Sequence, residues 1–336
     1  MCSGDAPIKR GKTDMLNFDA QIALITGAGR GIGRQHALSL AERGAFVVVN
    51  DYGVDGRGAK GGDAGPAESV VAEIRAAGGQ AIAACCDIGD SAQVTEMMDA
   101  VITQWGRIDV LIHNASTYAD LGPFESTRVD DLERIMRVNV TGGWNVAHAA
   151  WPHMQRQGQG RIVMTGSGAG MFGRRRDQAY SVAKSALIGM TKVLATEGER
   201  QGIKVNLVGP VAFTDQSKAQ GIPSIMERFA PPVMVSNLVM VLAHADCPVN
   251  GEMFHCGGGF VSRVFVGETA GVTFTLDDMS PEGLIDTLPC ILDEDGYAVP
   301  KSSDQSGARL SAGIASVNPE FAEALAAAKR ERDAAR

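Results

Sequence analysis

Along this chain, short runs of consecutive apolar and β-branched residues alternate with longer stretches whose apolar positions recur every three to four residues. The runs at 21–26, 45–50, 80–85, 108–113, 161–165, 203–208 and 252–256 have no polar face, which is the pattern of strands buried on both sides. The stretches between them, 31–44, 66–78, 91–105, 129–156, 178–201 and 232–243, read as helices. A strand followed each time by a helix reaches its parallel neighbour through a crossover, and right-handed crossovers place those helices on both faces of one sheet. The predicted class is therefore α/β, a doubly wound parallel sheet of about seven strands, with its ligand site beyond the carboxyl ends of the strands.

Two segments break the rhythm. Residues 52–65 are Gly-rich and polar and predict a surface loop. Beyond Phe265 the alternation stops: 267–312 reads as loop-rich, and Asn318-Pro319-Glu320 opens a last helix with a capping Asn and a first-turn Pro. The expected organisation is an N-terminal tail at 1–17, a Rossmann-type domain at 18–266 and a C-terminal extension at 267–336.

Composition narrows the setting. Of 336 residues, 45% are hydrophobic and 21% charged, enough apolar matter for a sizeable core. Lys and Arg total 31 against 39 Asp and Glu, and the resulting charge of −8 repels phosphate backbones and anionic lipid heads. No nucleic-acid or membrane partner is expected. Nothing approaches the roughly 18 consecutive apolar residues of a spanning helix. The stretch 1–14 carries Lys9, Arg10 and Lys12 with no apolar run after them, so the expected location is cytoplasmic. Six Cys and six His show no metal-ligand spacing, which predicts free thiols and no metal site.

The first strand runs directly into Thr26-Gly27-Ala28-Gly29-Arg30-Gly31-Ile32-Gly33. Between a strand and a helix, Gly27, Gly31 and Gly33 let the backbone turn, approach a pyrophosphate with no Cβ in the way, and pack the helix against the sheet. The second strand ends in Asp51, 18 residues after Gly33, where dinucleotide folds hold the adenosine ribose hydroxyls. A carboxylate there repels a 2′-phosphate, which favours NAD over NADP; Arg30, a base within the loop, pulls the other way. Asp87, at the end of the third strand, is either an acceptor for the adenine amino group or an ordinary turn residue.

Tyr180 and Lys184 lie four residues apart on a predicted helix and share one face. Alone, such a pair is usually surface decoration. Here Ser167 follows the fifth strand and Asn139 stands in Arg137-Val138-Asn139-Val140. With T-G-x-x-x-G-x-G, Asp51, Asn114-Ala115, Asn139, Ser167 and Y-x-x-x-K in that order, the stretch from Phe18 to Phe265 resembles the short-chain dehydrogenase/reductase family. The resemblance implies a catalytic triad of Ser167, Tyr180 and Lys184 extended by Asn139. It implies an NAD site lined by Gly27, Arg30, Gly31, Ile32, Gly33, Asp51, Asp87, Ile88, Asn114, Tyr180, Lys184, Pro210 and Thr214. The segment from Pro210 to Thr214 resembles the family's loop over the nicotinamide carboxamide. A homo-oligomer, tetramer or dimer, is implied as well.

The chemistry fits those roles. A free phenol titrates near pH 10, so a tyrosine base working near neutrality needs a shift of about 3 units, or about 4 kcal/mol. One ammonium ~4 Å away at an effective dielectric near 20 supplies about that much. The expectation is that Lys184, helped by the positive nicotinamide ring, lowers Tyr180 into the working range. Tyrosinate then takes the alcohol proton, Ser167 hydrogen-bonds the carbinol oxygen, and the hydride passes to C4 of NAD. Asn139 is expected to hold a water that links Lys184 to solvent.

Two positions depart from the family pattern: the usual Asn-Ala-Gly reads Asn114-Ala115-Ser116, and Val211 replaces the Gly after Pro210. Within the family, residues 47–53, the Gly-rich insertion after them and 161–165 look most like the dehydrogenase units of peroxisomal-type multifunctional enzymes. Those units act on (3R)-hydroxyacyl-CoA thioesters and on hydroxysteroids, which implies a bulky hydrophobic secondary alcohol as substrate. Phe213, Ile222, Ile225, Met226, Phe229 and Met234 form either an apolar lid over such a substrate or ordinary core. Arg174-Arg175-Arg176, between Ser167 and Tyr180, either attracts an anionic group or forms a solvated or intersubunit cluster. The competing readings are an NADPH-dependent 3-oxoacyl reductase, disfavoured by Asp51, and a non-enzymatic nucleotide-sensing relative, disfavoured by the presence of the whole catalytic set.

Overall fold

The computed structural model describes residues 16–54, 57, 61–219, 223–275 and 278–334. Nearly all of the expected tail at 1–17, and Ile222 of the expected lid, lie outside the described residues. Strands β1 (Ile22–Thr26), β2 (Phe46–Asn50), β3 (Gln80–Ala84), β4 (Val110–His113), β5 (Gly160–Thr165), β6 (Ile203–Val211), β7 (Met253–Gly257) and β8 (Phe260–Val264) form one sheet in the order β3-β2-β1-β4-β5-β6-β7-β8. Pairing from β3 across to β7 is parallel throughout. Leu24, Ile25, Val47, Val48, Leu111 and Ile162 are fully buried, because helices cover both faces and leave no strand a wet side.

The eighth strand is not among those expected. Gly258 and Gly259, at φ +58° and +83°, reverse the chain in two residues, too few for a parallel crossover, so β8 runs back against β7. Phe260 and Val261, on its two faces, are both exposed, so the strand lacks the burial that marks the others.

The helices are α1 (Gly31–Glu42), α2 (Gly65–Ala76), α3 (Ser91–Trp105), α4 (Val129–Met136), α5 (Gly142–Gln157), α6 (Gly168–Phe172), α7 (Gln178–Gly198), α8 (Asp215–Ala219), α9 (Met226–Phe229) and α10 (Pro232–Ala243), followed by α11 (Pro281–Ile291), α12 (Ser303–Val317) and α13 (Pro319–Ala334). The single helix expected over 129–156 is divided by a π-helical turn, Arg137–Thr141, between α4 and α5. The apolar spacing on either side is regular, so periodicity alone does not show the extra residue that a π-turn accommodates.

The chain divides into two compact units, one ending at Arg263 and the other running from Val264 to Arg336. In the second unit the loop-rich reading of 267–312 is corrected by α11 and α12. Ser280 and Ser302 cap these helices by accepting from the backbone of Gly283 and Gln305, and the sequence reading missed both signals. Asn318 Oδ1 accepts from Phe321 N at 3.0 Å, the cap expected for the last helix.

A buried carboxylate fixes the start of β1 against β4. Asp109 is 1% exposed; its Oδ2 accepts from Ile22 N at 2.9 Å and from Arg107 Nε at 2.9 Å. The isosteric Asp109→Asn keeps the volume, removes the charge and turns an amide N–H toward one of these donors. The expected loss is about 1–3 kcal/mol, read as a lower urea midpoint at unchanged slope; an unaltered midpoint contradicts this role.

Candidate active site

The carboxyl ends of β1, β2, β3, β4 and β6 open on a crevice of about 760 Å³. Its floor is the turn from Thr26 to Gly33. Gly27 and Gly31 hold φ of +62° and +53°, a region that residues with a Cβ rarely occupy. Space is as restrictive as conformation: a Cβ at Gly27 would lie 2.7 Å from Ala115 Cα, and one at Gly33 would lie 2.2 Å from Gly27 O and 2.4 Å from Asn114 Nδ2. Arg30 precedes α1 with no side-chain cap, so the first N–H groups of that helix face the crevice unused by side chains. The glycines thus let the turn pack against β4 while its free N–H groups remain at the mouth of the helix, an arrangement that fits a pyrophosphate.

Of the residues expected to hold a dinucleotide, Gly27, Arg30, Gly31, Ile32, Asp51, Asp87, Ile88, Asn114 and Thr214 line the crevice. Gly33 is buried beneath it. Pro210 sits within β6, paired with Cys256, and neither it nor Tyr180 nor Lys184 is among the lining residues. Asp51 Oδ2 accepts from Gly29 N at 2.8 Å and Oδ1 from Gly53 N at 2.9 Å. Each oxygen therefore keeps lone pairs for a further donor. Asp87 is more committed: Oδ1 accepts from Gly89 N at 2.9 Å, and Oδ2 pairs with Arg137 at 2.6 Å. Sequence reasoning did not anticipate Arg137 in this position, fifty residues away in the chain. Asn114 donates through Nδ2 to Thr26 O and Gly27 O at 3.1 and 2.9 Å, tying the end of β4 to the glycine turn.

A hydrogen-bonded chain crosses the back of the site. Thr26 Oγ1 accepts from the backbone N–H groups of Asn114 and Ala115, both at 3.1 Å. His113 Nε2 lies 2.9 Å from Asn139 O, a carbonyl that can only accept, so the ring proton resides there. Nδ1, 3.2 Å from Thr26 Oγ1, is then the acceptor of the threonine hydroxyl. Burial and the nearby Lys184 charge push the imidazole down to about 4, which keeps it neutral. Asn139 lies in the π-turn. Its side chain accepts from Thr117 N at 2.8 Å and donates to Thr117 O at 3.1 Å. The side chain is thus engaged with Thr117, and the backbone carbonyl accepts from His113.

Tyr180 and Lys184 share one face of α7, with Nζ 5.6 Å from the phenol ring centroid. Lys184 is 1% exposed and donates to Thr165 O at 2.8 Å. Ser167 caps α6, accepting from Ala169 N at 3.1 Å. The expected lowering of Tyr180 by Lys184 is not found in the protein by itself. Burial raises the phenol, aided by the Asp177 carboxylate, while Ser167, Ser116 and Arg174 pull it down. The same burial drives Lys184 down to about 7. The free-ion arithmetic omitted the cost of moving both groups out of water, and that cost favours the neutral form of each. Of the arginine triplet, Arg174 lies 3.7 Å from Asp177, and Arg175 and Arg176 are exposed.

A glycine turn at the switch between β1 and β4 is where doubly wound α/β folds bind a dinucleotide. The short chain dehydrogenase profile matches residues 21–221, and the chain belongs to that family of oxidoreductases, whose fold binds nicotinamide cofactors. Peroxisomal multifunctional enzyme A of Dictyostelium discoideum is 35% identical over 92% of this chain and 67% of its own length. The full-length peroxisomal multifunctional enzyme type 2 of Drosophila melanogaster superposes with a TM-score of 0.75 at 28% identity, over 90% of this chain and 51% of that one. The chain thus spans about half to two thirds of these relatives. A 7α-hydroxysteroid dehydrogenase in complex with NADH and 7-oxo glycochenodeoxycholic acid superposes with a TM-score of 0.65 at 29% identity, over 72% of this chain and 95% of that one.

The buried lysine makes a pH prediction. Below about pH 7 Lys184 is charged in the folded and unfolded chain alike, and the full cost of burying the cation is present. Between about 7 and the unfolded value of 10.5, the unfolded chain binds the extra proton, so stability rises with pH. Relative to Lys184→Met, the wild-type chain is expected to gain up to about 1.4 kcal/mol per pH unit across that window. Urea unfolding at several pH values reads this difference; parallel curves for the two proteins contradict it.

Proposed function

We propose that this chain is an NAD-dependent dehydrogenase that interconverts a secondary alcohol and a ketone on a bulky hydrophobic substrate, a hydroxysteroid or a 3-hydroxyacyl-CoA. The observation that carries this reading is the cluster of Tyr180 with Lys184, whose Nζ lies 5.6 Å from the phenol ring centroid, and with the Ser167 hydroxyl, in a fold whose glycine turn holds φ of +62° at Gly27 and +53° at Gly31. Preference for NAD rests on Asp51, whose two oxygens face the crevice with lone pairs to spare for ribose hydroxyls and whose charge repels a 2′-phosphate.

When bound, the dinucleotide supplies a two-electron hydride acceptor and a positive ring charge. The chain's own residues manage the proton. In the oxidation direction, ionised Tyr180 accepts the alcohol proton, and Ser167 donates to the carbinol oxygen and orients it. Lys184 keeps its ammonium aligned through Thr165 O and favours the tyrosinate once cationic charge accumulates around it. Asn139, held by Thr117 and His113, fixes the π-turn behind them.

A bulky substrate is supported by the segment after β6. Phe213 N donates to Ala230 O at 2.8 Å, and Ile225 and Phe229 stay exposed. The multifunctional relatives and the hydroxysteroid dehydrogenase lend the two substrate classes. Trp144 on α5, with Val182 and Val193 on α7, stays solvent-facing, which supports burial against a second copy and a dimeric or tetrameric enzyme. No described helix is long and apolar enough to cross a membrane. The multifunctional relatives are named as peroxisomal enzymes, at variance with the cytoplasmic location expected here.

The test is NADH formation with steroid alcohols and 3-hydroxyacyl-CoA thioesters, each offered with NAD and with NADP. Turnover with NAD is expected for at least one substrate, and Tyr180→Phe is expected to lose at least about a hundredfold of it while NADH binding holds. No turnover across the set, or full activity in the phenylalanine variant, sinks the reading.

A further inference from the structure

Arg137 has no part in the scheme above. It opens the π-turn that carries Asn139 and lines the crevice together with Cys86, Asp87 and Ile88. A half-exposed arginine usually keeps its guanidinium in water and mobile. This one is held. Its Nη2 lies 2.6 Å from Asp87 Oδ2, and the side chain folds closely against Gly89: a Cβ there would lie 2.9 Å from Arg137 Cζ and 3.0 Å from Cγ and from Nη1.

The turn after β3 that carries Asp87 is tied down from three elements. Asp87 N donates to Gln93 Oε1 on α3 at 3.0 Å, and Ile88 O accepts from Asn145 Nδ2 on α5 at 2.9 Å. Within the turn, Gly89 N and Asp90 N donate to Asp87 Oδ1 and to Asp87 O, both at 2.9 Å. These bonds fix the backbone and one oxygen. Among the described residues, Arg137 alone reaches the carboxylate from another element. The other end of the π-turn is pinned as well, by Thr117 and His113 on Asn139, so the arginine is held at its base and at its tip.

Asp87 keeps lone pairs on both oxygens. A carboxylate in that condition accepts from the exocyclic amino group of a purine and repels a carbonyl oxygen in the same place. Its power to discriminate depends on holding still, because a carboxylate free to rotate turns away from the wrong partner and lets water fill the gap.

We propose that Arg137 is a positioning residue for cofactor recognition: it holds the Asp87 carboxylate in the direction that accepts from the adenine amino group, and thereby sets the preference for an amino purine. It acts through Asp87 and not on the dinucleotide itself. This rests on the reading of the crevice as a dinucleotide site with Asp87 at its adenine end.

The test is the binding of reduced cofactor, followed by nicotinamide fluorescence with no alcohol present. Two ligands are compared, NADH and its deamino analogue, in which a carbonyl oxygen replaces the adenine amino group. The wild-type chain is expected to bind NADH at least about tenfold more tightly than the analogue. Arg137→Met keeps an unbranched stem without the guanidinium. It is expected to weaken NADH about tenfold and to leave the analogue within about twofold, so that the preference collapses. Arg137→Lys, which keeps a cation within reach of Asp87, is expected to recover at least about threefold of that loss. In an Asp87→Ala background, Arg137→Met is expected to change NADH affinity by less than about twofold, because the group it holds is gone.

A preference that survives Arg137→Met overturns the proposal, as does a wild-type chain that shows no preference. A tenfold loss shared equally by both ligands overturns it too, since that is a general structural effect. A tenfold loss that persists in the Asp87→Ala background puts Arg137 on the dinucleotide itself and likewise overturns it. Collapse of the preference in a chain that oxidises no alcohol sinks the dehydrogenase reading and leaves the positioning role standing; an active dehydrogenase whose preference ignores Arg137 does the reverse.

Discussion

The site depends on a phenol and an ammonium held together away from water. Burial acts on both in the same sense, raising Tyr180 and drawing Lys184 down to about 7. Near neutrality the resting pair has little reason to separate charge. A proton is released from the phenol only when further positive charge or further donors enter the site, and the serine hydroxyls and a cationic ring are of that kind. The pair is thus poised by what surrounds it rather than by mutual attraction alone.

Holding two such groups in place is costly, and the fold spreads the load over several elements. Lys184 is anchored by a carbonyl at the end of β5. The π-turn carrying Asn139 is tied to Thr117 and, through neutral His113, to Thr26 on β1. The hydroxyl of Thr26 in turn fixes the backbone after β4, which places Ser116. The glycine turn is held to the same strand end by Asn114. Cofactor floor and proton-handling groups are therefore parts of one hydrogen-bonded assembly, so that movement of one strand end disturbs both.

Much of this architecture is legible in local pattern. Seven strands, the principal helices and the glycine turn follow from apolar runs, helical period and Gly spacing, which depend on near neighbours in the chain. What escaped was set by distant partners or by small local exceptions. The Arg137 that neutralises Asp87 comes from another element, as does the His113 bond to Asn139. The π-turn at 137–141 adds one residue to a helix without altering its apolar period. Strand β8 is short and half exposed, and α11 and α12 rest on serine caps within a segment rich in turn-forming residues. The raising of Tyr180 by burial in the protein alone was not legible for a different reason: charge arithmetic between two residues contains no term for the water each one loses.

The most direct measurement of that account is the ionisation of Tyr180 in the free protein and in the protein saturated with NAD, followed against a Tyr180→Phe blank. The account predicts a midpoint above the value of about 10 for a free phenol when the protein is alone, and a fall of at least about one unit when NAD is bound. A midpoint already depressed in the free protein, or one that NAD leaves in place, contradicts it.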